Sequence, residues 1–138
     1  GRVEQPVGRH PVDRKRMAVV ADGKPAVTHY RVEQRFRGHT RVRARLETGR
    51  THQIRVHMAW LRYPLVGDPV YGARLKLPRG ADETLREALR AFPRQALHAR
   101  RLGLQHPDDG AYREWQAPCP RDLQDLLSVL ETDHRTTS

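Results

Sequence analysis

The 138-residue sequence is poor in cysteine, in long apolar runs and in acidic side chains. A single cysteine, Cys119, excludes an internal disulfide framework and is typical of a reducing compartment, so we expect a cytoplasmic protein. No apolar run approaches the roughly 18 residues that span a bilayer, so we expect no membrane partner, and we expect no signal peptide. The chain begins at Gly1 rather than Met, which indicates a processed protein or a piece of a longer one.

Basic residues are in large excess. Lys and Arg number 26 against 16 Asp and Glu, which gives a formal net charge of +10 and an isoelectric point near 10.9. A protein this basic usually binds a polyanion, and nucleic acids are the commonest polyanions in a cell. At this length the chain can bury one modest core, so we expect a single domain rather than two independent cores.

Alternation of apolar and polar residues predicts an antiparallel hairpin in the first half of the chain. The segment VTHYRVEQRF places Tyr30 and Val32 on one face, and TRVRARLE alternates again after a turn at residues 37–39. The opposite face carries basic side chains, among them Arg41, Arg43 and Arg45. The hairpin is therefore expected to have one basic, solvated face.

The period changes after Gly49, where a first helix is predicted. Thr51 is placed to cap this helix, and Ile54, Met58 and Leu61 would form its buried stripe before Pro64 ends it.

A second helix is predicted from Asp82 to Ala91, and a third over RDLQDLLSVL with its leucines facing inward. The strands ALHARRLGL and AYREWQA surround the turn HPDDG, and residues 132–138 are expected to form a disordered tail. The order of these elements indicates an α+β fold with a mainly antiparallel or mixed sheet and a few packed helices.

The stretch GRTHQIRVH joins the hairpin to the first helix and concentrates basic residues at a helix N-terminus. Arg50, His52 and Arg55 would lie beside the free amides and partial positive charge of that terminus, a corner that attracts phosphate or carboxylate. A solvated helix start with a few exposed arginines explains the same residues, and physical chemistry alone leaves both readings open.

Five blocks resemble the catalytic domain of RluA/RluD-type pseudouridine synthases. In order they read GRHPVDRKRM, KPAVTHYRV, GRTHQIRVH, PLVGDPVYG and ALHARRLGLQHP, and they extend over roughly residues 7–120. The resemblance implies an enzyme that isomerises selected uridines of ribosomal or transfer RNA to pseudouridine. It also implies that no cofactor and no metal are needed, and we expect a monomer.

The family's essential aspartate lies in a His-Arg-Leu-Asp motif upstream of the first block, and this chain does not contain that motif. Its own aspartates, such as Asp13, Asp22, Asp68 and Asp82, lie in other contexts. By resemblance, residues 1–131 are the C-terminal portion of the catalytic domain, and we expect the chain to be inactive alone.

The resemblance assigns two catalytic positions. Arg55, in Gln-Ile-Arg, would form an ion pair with the absent aspartate and keep it ionised, and Tyr30 would pack on the flipped uracil and help remove its C5 proton. Leu102 would line the base pocket. Tyr30 could equally fill the core beside Val32 and Phe36, and Leu102 could be an ordinary strand core residue.

RNA contacts are expected around this pocket and along the basic loop near the N-terminus. The residues predicted to bind substrate, besides Leu102, are Arg50, His52, Gln53, Arg9, His10, Arg14 and Lys15. We expect no metal site, because His52 and His57 lack the spacing of a zinc-binding helix. The alternative function is a non-catalytic, basic RNA-binding module that uses the same fold.

Overall fold

The computed structural model describes residues 1–72, 77–99, 101–105 and 112–137, and it has the predicted α+β fold. No helix in these ranges is long and apolar enough to cross a membrane. The elements in chain order are β1 (Arg2–Glu4), β2 (Val7–Arg9), β3 (Met17–Val19), β4 (Val27–Arg35), β5 (Thr40–Leu46), α1 (Gln53–Trp60), α2 (Glu83–Ala91), β6 (Arg101–Gln105), β7 (Tyr112–Gln116) and α3 (Arg121–Thr137).

The predicted hairpin forms the centre of a three-stranded antiparallel sheet in the order β1-β4-β5. The turn closes with a hydrogen bond of 2.8 Å from the Phe36 amide to the His39 carbonyl. A bulge between Val32 and Gln34 shifts the register by one residue. Strands β2 and β3 pair separately, as do β6 and β7.

The two faces of this sheet differ in chemistry, as the alternation predicts. On the outer face Arg31 lies directly opposite Arg43, and His29 lies opposite Arg45. The three arginines of these pairs are exposed. The inner face carries the buried Thr28, on which α1 packs.

Helix α1 buries a different face from the one predicted. Gln53, Val56 and His57 are buried, whereas Ile54 and Met58 are only partly buried. The prediction of an Ile54, Met58 and Leu61 stripe is therefore wrong, because an apolar count misses polar groups that are satisfied internally.

His57 shows how a polar residue is accommodated in that face. It is fully buried, its Nε2 donates to the Gln5 carbonyl at 2.9 Å, and its Nδ1 lies 2.8 Å from the Thr28 hydroxyl. Because a carbonyl can only accept, Nε2 carries a proton, and in the neutral ring Nδ1 then accepts from Thr28.

The first turn of α1 also differs from expectation. The N-cap is His52 rather than Thr51, and it has a left-handed backbone with φ 56° and ψ 24° and no side-chain cap. This conformation is uncommon for a residue other than glycine, and such residues concentrate at functional sites.

Helices α2 and α3 form where the sequence predicts them, and they pack together with the end of β4. Asp82 caps α2 by accepting a 2.8 Å hydrogen bond from the Leu85 amide. The buried residues of this cluster are Phe36, Ala81, Leu85, Leu89, Phe92, Leu126 and Leu130. A second buried cluster joins β2, α1 and the loop after α1, and it consists of Val7, Ala26, Val56 and Tyr71. The described core therefore consists of two buried clusters.

Helix α3 continues through Thr137, so the expectation of a disordered tail from residue 132 is wrong for the described residues. Asp133 lies in this extension and is only 7% exposed. Arg37, in the hairpin turn, donates to it from Nε at 3.1 Å and from Nη2 at 2.8 Å. The leucine pattern ends at Leu130, and this anchor comes from a residue 96 positions away, so local periodicity could not show it.

Candidate functional site

The junction between β5 and α1 is organised by the side chain of Gln53. Its Nε2 donates to the Val27 carbonyl and the Thr28 hydroxyl, both at 3.0 Å. Its Oε1 accepts from the Thr48 hydroxyl at 2.6 Å and from the Arg50 amide at 3.0 Å. The amide is thus fully used within the protein, and it fixes the start of α1 against the central strand.

Arg55 projects from the first turn of α1 and is 8% exposed. Its Nε and Nη2 donate to the two carboxylate oxygens of Asp68, at 2.8 Å and 2.9 Å. The carboxylate that Arg55 contacts in the described structure is therefore a residue of the GDPVYG block. Such a bidentate pair fixes both the position and the plane of the guanidinium group.

Burial alone would raise the pKa of the Asp68 carboxyl, but hydrogen bonds outweigh this effect. The donors are Arg55 and the backbone amides of Tyr71 and Val70, and together with the charge of Arg55 they lower the pKa to about 2. The hydrogen bond with Asp68 raises the pKa of Arg55 in turn, against the opposing effect of burial. Both groups are charged at neutral pH.

His52 and Tyr71 complete the wall beside this pair. The His52 Nδ1 lies 2.8 Å from the Tyr71 hydroxyl, and the two rings meet edge to face with centroids 5.5 Å apart. The same hydroxyl accepts a 2.9 Å hydrogen bond from the Met17 amide. Tyr71 therefore connects the strand β3, the start of α1 and the GDPVYG block.

Tyr30 lies on β4, on the same sheet face as the buried Thr28. The Tyr30 amide donates to the Gly1 carbonyl, and the Tyr30 carbonyl accepts from the Gly1 amino group. The phenol lies so close to Gly1 that a Cβ added there would come within 2.5 Å of the hydroxyl. The side chain is partly buried.

In the basic loop near the N-terminus, hydrogen bonds within the loop hold residues that were predicted to bind substrate. The His10 Nδ1 accepts hydrogen bonds from the Val12 and Asp13 amides, and Arg9 donates to the Arg14 carbonyl at 2.9 Å. The side chains of Arg9, Arg14 and Lys15 are exposed, so their charges face solvent.

Two further predicted contacts lie elsewhere. Arg50 donates from Nε to the Pro25 carbonyl at 2.9 Å, beside the sheet. Leu102 is placed by its backbone on β6, opposite Trp115 of β7, and its side chain lies outside the described residues.

Asp68 and Tyr71 were not assigned a role from the sequence. The signal was present, because PLVGDPVYG is one of the five resembling blocks, but nothing in the spacing of its residues indicates which side chain faces α1. Contact with Arg55 depends on how the loop after α1 folds back onto the helix.

Sequence comparison shows which known proteins the chain resembles. The model of the RNA pseudouridylate synthase family matches residues 1–60. Ribosomal large subunit pseudouridine synthase D of Pseudomonas aeruginosa is 59% identical over 133 residues, which is 96% of this chain, and its Escherichia coli counterpart is 58% identical over the same length. Over nearly its whole length the chain is similar to RluA/RluD-type pseudouridine synthases.

Solved pseudouridylate synthase structures share the fold. The human RNA pseudouridylate synthase domain containing 1 superposes with a TM-score of 0.66 at 28% identity, over 94% of this chain and 51% of that one. The human domain containing 4 gives a TM-score of 0.63 at 25% identity. The chain spans about 42% of the length of the bacterial pseudouridine synthases it matches.

Proposed function

We propose that residues 1–131 are the C-terminal portion of a pseudouridine synthase domain that isomerises uridines in RNA without a cofactor. The observation that supports this most directly is the pairing of Arg55. The arginine of the GRTHQIRVH block is buried at the start of α1 and oriented by two hydrogen bonds to one carboxylate. A surface arginine that only attracted RNA would not need this support.

In this proposal Arg55 forms an ion pair with the aspartate nucleophile that the family places upstream of these residues. A cation at about 4–6 Å stabilises the ionised carboxylate and lowers its pKa. The nucleophile is then charged at neutral pH and held in one orientation, ready to attack a uridine flipped out of its stack.

Tyr30 and Leu102 are proposed to line the pocket for the flipped base. Tyr30 offers an aromatic face with a polar tip, on the sheet face that also carries Thr28 and α1. Leu102 would supply apolar contact from β6. During the reaction the glycosidic bond to N1 breaks, the base turns and rejoins the sugar through C5, and the C5 proton leaves, so no external group is consumed.

RNA phosphates are proposed to lie along the basic loop and the outer face of the hairpin. The exposed charges of Arg9, Arg14 and Lys15 supply the first surface, with His10 shaping the loop. On the hairpin Glu33 pairs with Arg41 and Arg43 at 3.2 Å and 2.6 Å, while Arg45 forms no ion pair with a described residue. Arg50 and His52 are proposed to contact RNA nearer the base, at the start of α1 that Gln53 fixes against the central strand.

The proposed substrate is ribosomal RNA of the large subunit, because that is the RNA in the names of the bacterial relatives. Transfer RNA is the second candidate substrate. We further propose a cytoplasmic monomer; the single cysteine fits a reducing compartment. Light scattering on the purified protein tests the oligomeric state.

The experiment is tritium release from RNA that carries 5-tritiated uridine, with the complete gene product as the enzyme. We expect release by the wild type on large-subunit RNA, and its abolition in Arg55→Ala with RNA binding largely retained. Arg37→Ala is the matched control, because Arg37 also forms a bidentate pair with an aspartate but lies in the hairpin turn.

Full activity in Arg55→Ala would remove Arg55 from the catalytic role. A wild-type protein that binds the RNA in a salt-dependent manner but releases no tritium would instead establish the alternative function, an RNA-binding module without chemistry.

A further inference from the structure

The guanidinium group of Arg55 is held along one edge and is open at the other. Nε and Nη2 donate to Asp68, but Nη1 has no hydrogen-bond partner among the described residues. The fully buried side-chain atoms without a partner in the described residues are Arg16 Nε and His39 Nδ1, so the unpaired Nη1 of Arg55 is accessible to solvent. The Nη1 and Nη2 end of the group can therefore hold a second anion in fork geometry.

The carboxylate on the occupied edge is itself immobilised. The Asp68 side chain is 0% exposed, and its Oδ1 accepts hydrogen bonds of 3.0 Å from the Val70 and Tyr71 amides in addition to the one from Arg55. Rotation of this carboxylate would break several hydrogen bonds at once. Asp68 is thus a rigid support for Arg55.

The aromatic ring of Tyr71 supports the same guanidinium group by a different contact. The Arg55 Cζ lies 5.0 Å from the ring centroid, within the range of a cation–π interaction. The ring is buried, and its hydroxyl is tied to the Met17 amide and the His52 ring. Asp68 and Tyr71 together restrict both translation and tilt of the guanidinium plane.

The charge around Tyr71 is positive, so this region can accept another anion. The Arg16 Cζ lies 5.2 Å from the same Tyr71 centroid, and Arg16 forms no ion pair with a described residue. Its Nε is buried without a hydrogen-bond partner. Two guanidinium groups thus lie against the Tyr71 ring, and Asp68 is the only described carboxylate that forms an ion pair with either of them. A second carboxylate beside Arg55 would complete the neutralisation.

We propose that Asp68 and Tyr71 are positioning residues that orient Arg55, so that its open Nη1 and Nη2 end receives the carboxylate of the nucleophile. This inference rests on the proposed function and deepens it. Arg55 then bridges two carboxylates, a permanent one from the GDPVYG block and a reacting one from upstream. Neither Asp68 nor Tyr71 touches the substrate in this arrangement.

The test compares Asp68→Asn with Asp133→Asn in the complete protein, because each change neutralises the aspartate of one bidentate Arg–Asp pair. For tritium release we expect Asp68→Asn to lower kcat by about 100-fold, since misplacing a reacting group by about 1 Å costs that much. KM for RNA should change less than about threefold, because the RNA contacts lie elsewhere. Asp133→Asn should keep both constants near wild type.

Tyr71 is tested by a graded pair of variants. Tyr71→Phe keeps the ring beneath Arg55 and should retain kcat within about threefold, whereas Tyr71→Leu removes the ring and should lower kcat by about tenfold or more. Equal losses in the two variants would overturn the role of the ring.

A readout that does not depend on catalysis separates this inference from the proposed function. In protein labelled with nitrogen-15 arginine, the Arg55 Nε–H signal should be sharp and slow to exchange, and Asp68→Asn but not Asp133→Asn should broaden it. A wild type with this signal but without tritium release would refute the proposed function and leave the orientation of Arg55 intact. An active Asp68→Asn variant with wild-type kcat, or equal kcat losses in Asp68→Asn and Asp133→Asn, would overturn the positioning role.

Discussion

The molecule contains two bidentate arginine–aspartate pairs that look alike at the level of distances. In the pair of Arg55 and Asp68 the donor–acceptor distances are 2.8 Å and 2.9 Å, and in the pair of Arg37 and Asp133 they are 3.1 Å and 2.8 Å. The first joins α1 to the loop 13 residues later, and the second joins the hairpin turn to α3 across 96 residues.

The difference lies in the third nitrogen of each guanidinium group. In Arg37 the remaining Nη1 donates to the Arg79 carbonyl, so every nitrogen is used within the protein. In Arg55 the remaining Nη1 has no partner among the described residues. A closed pair, in which every guanidinium nitrogen has a partner, connects elements of the fold. An open pair, in which one nitrogen has no partner, can bind a further anion. Similar distances therefore serve different purposes.

The largest expected effect comes from breaking the open pair on one side. Arg55→Ala leaves the fully buried Asp68 charge uncompensated, which should lower the free energy of unfolding by about 3–5 kcal/mol. The double change Arg55→Leu with Asp68→Leu should recover most of this loss, because two apolar side chains leave no buried charge. Urea denaturation of the complete protein measures both.

Tritium release by the same two variants sharpens the comparison. The double variant should remain inactive although it is stable, because stability and chemistry depend on different parts of the pair. A stable and active double variant would show that the open pair is structural only.

Acid pH should affect the open pair next. The folded-state pKa of Asp68 is about 2, lowered from 3.8. The unfolded chain therefore binds this proton more readily, and the stabilisation is fully present above pH 4 and is lost as the pH falls through 2. A shift of this size corresponds to about 2 kcal/mol. Between pH 5 and 2 the free energy of unfolding should fall more steeply for the wild type than for Asp68→Asn. The control is Asp22→Asn, which changes an exposed aspartate.

A smaller effect is expected at the closed pair. Asp133→Asn weakens the contact between the hairpin turn and α3, where Arg37 is 23% exposed and water replaces part of the lost interaction. Thermal unfolding should show a melting temperature a few degrees lower. RNA binding should be unchanged, and a loss of RNA affinity would mean that α3 reaches the RNA surface.

The smallest effect is expected from an arginine outside both pairs. Arg45→Gln removes one exposed charge from the outer hairpin face, so the slope of log affinity against log salt should fall by about 1. Affinity for RNA should drop modestly and kcat should not change. Filter binding over a series of salt concentrations measures the slope, and an unchanged slope would exclude Arg45 from the phosphate contacts.

Local sequence patterns predicted much of the fold but few of the hydrogen bonds and ion pairs around the site. The alternation in β4 and β5 gave the hairpin and its basic face, and Asp82 correctly marked the start of α2. The face of α1 was predicted wrongly, because Gln53 and His57 are polar residues whose hydrogen bonds are satisfied by distant groups. The extension of α3 was missed for the same reason, since Asp133 is anchored by Arg37.

The sequence by itself indicated the family and the α+β class and singled out Arg55 as a candidate, because motif order and residue periodicity are local properties that survive without coordinates. Only the tertiary structure decided which carboxylate Arg55 contacts, which of its edges stays open and which ring lies beneath it. These are contacts between segments that the chain brings together only on folding. Their geometry is fixed by buried hydrogen bonds whose partners no spacing rule identifies.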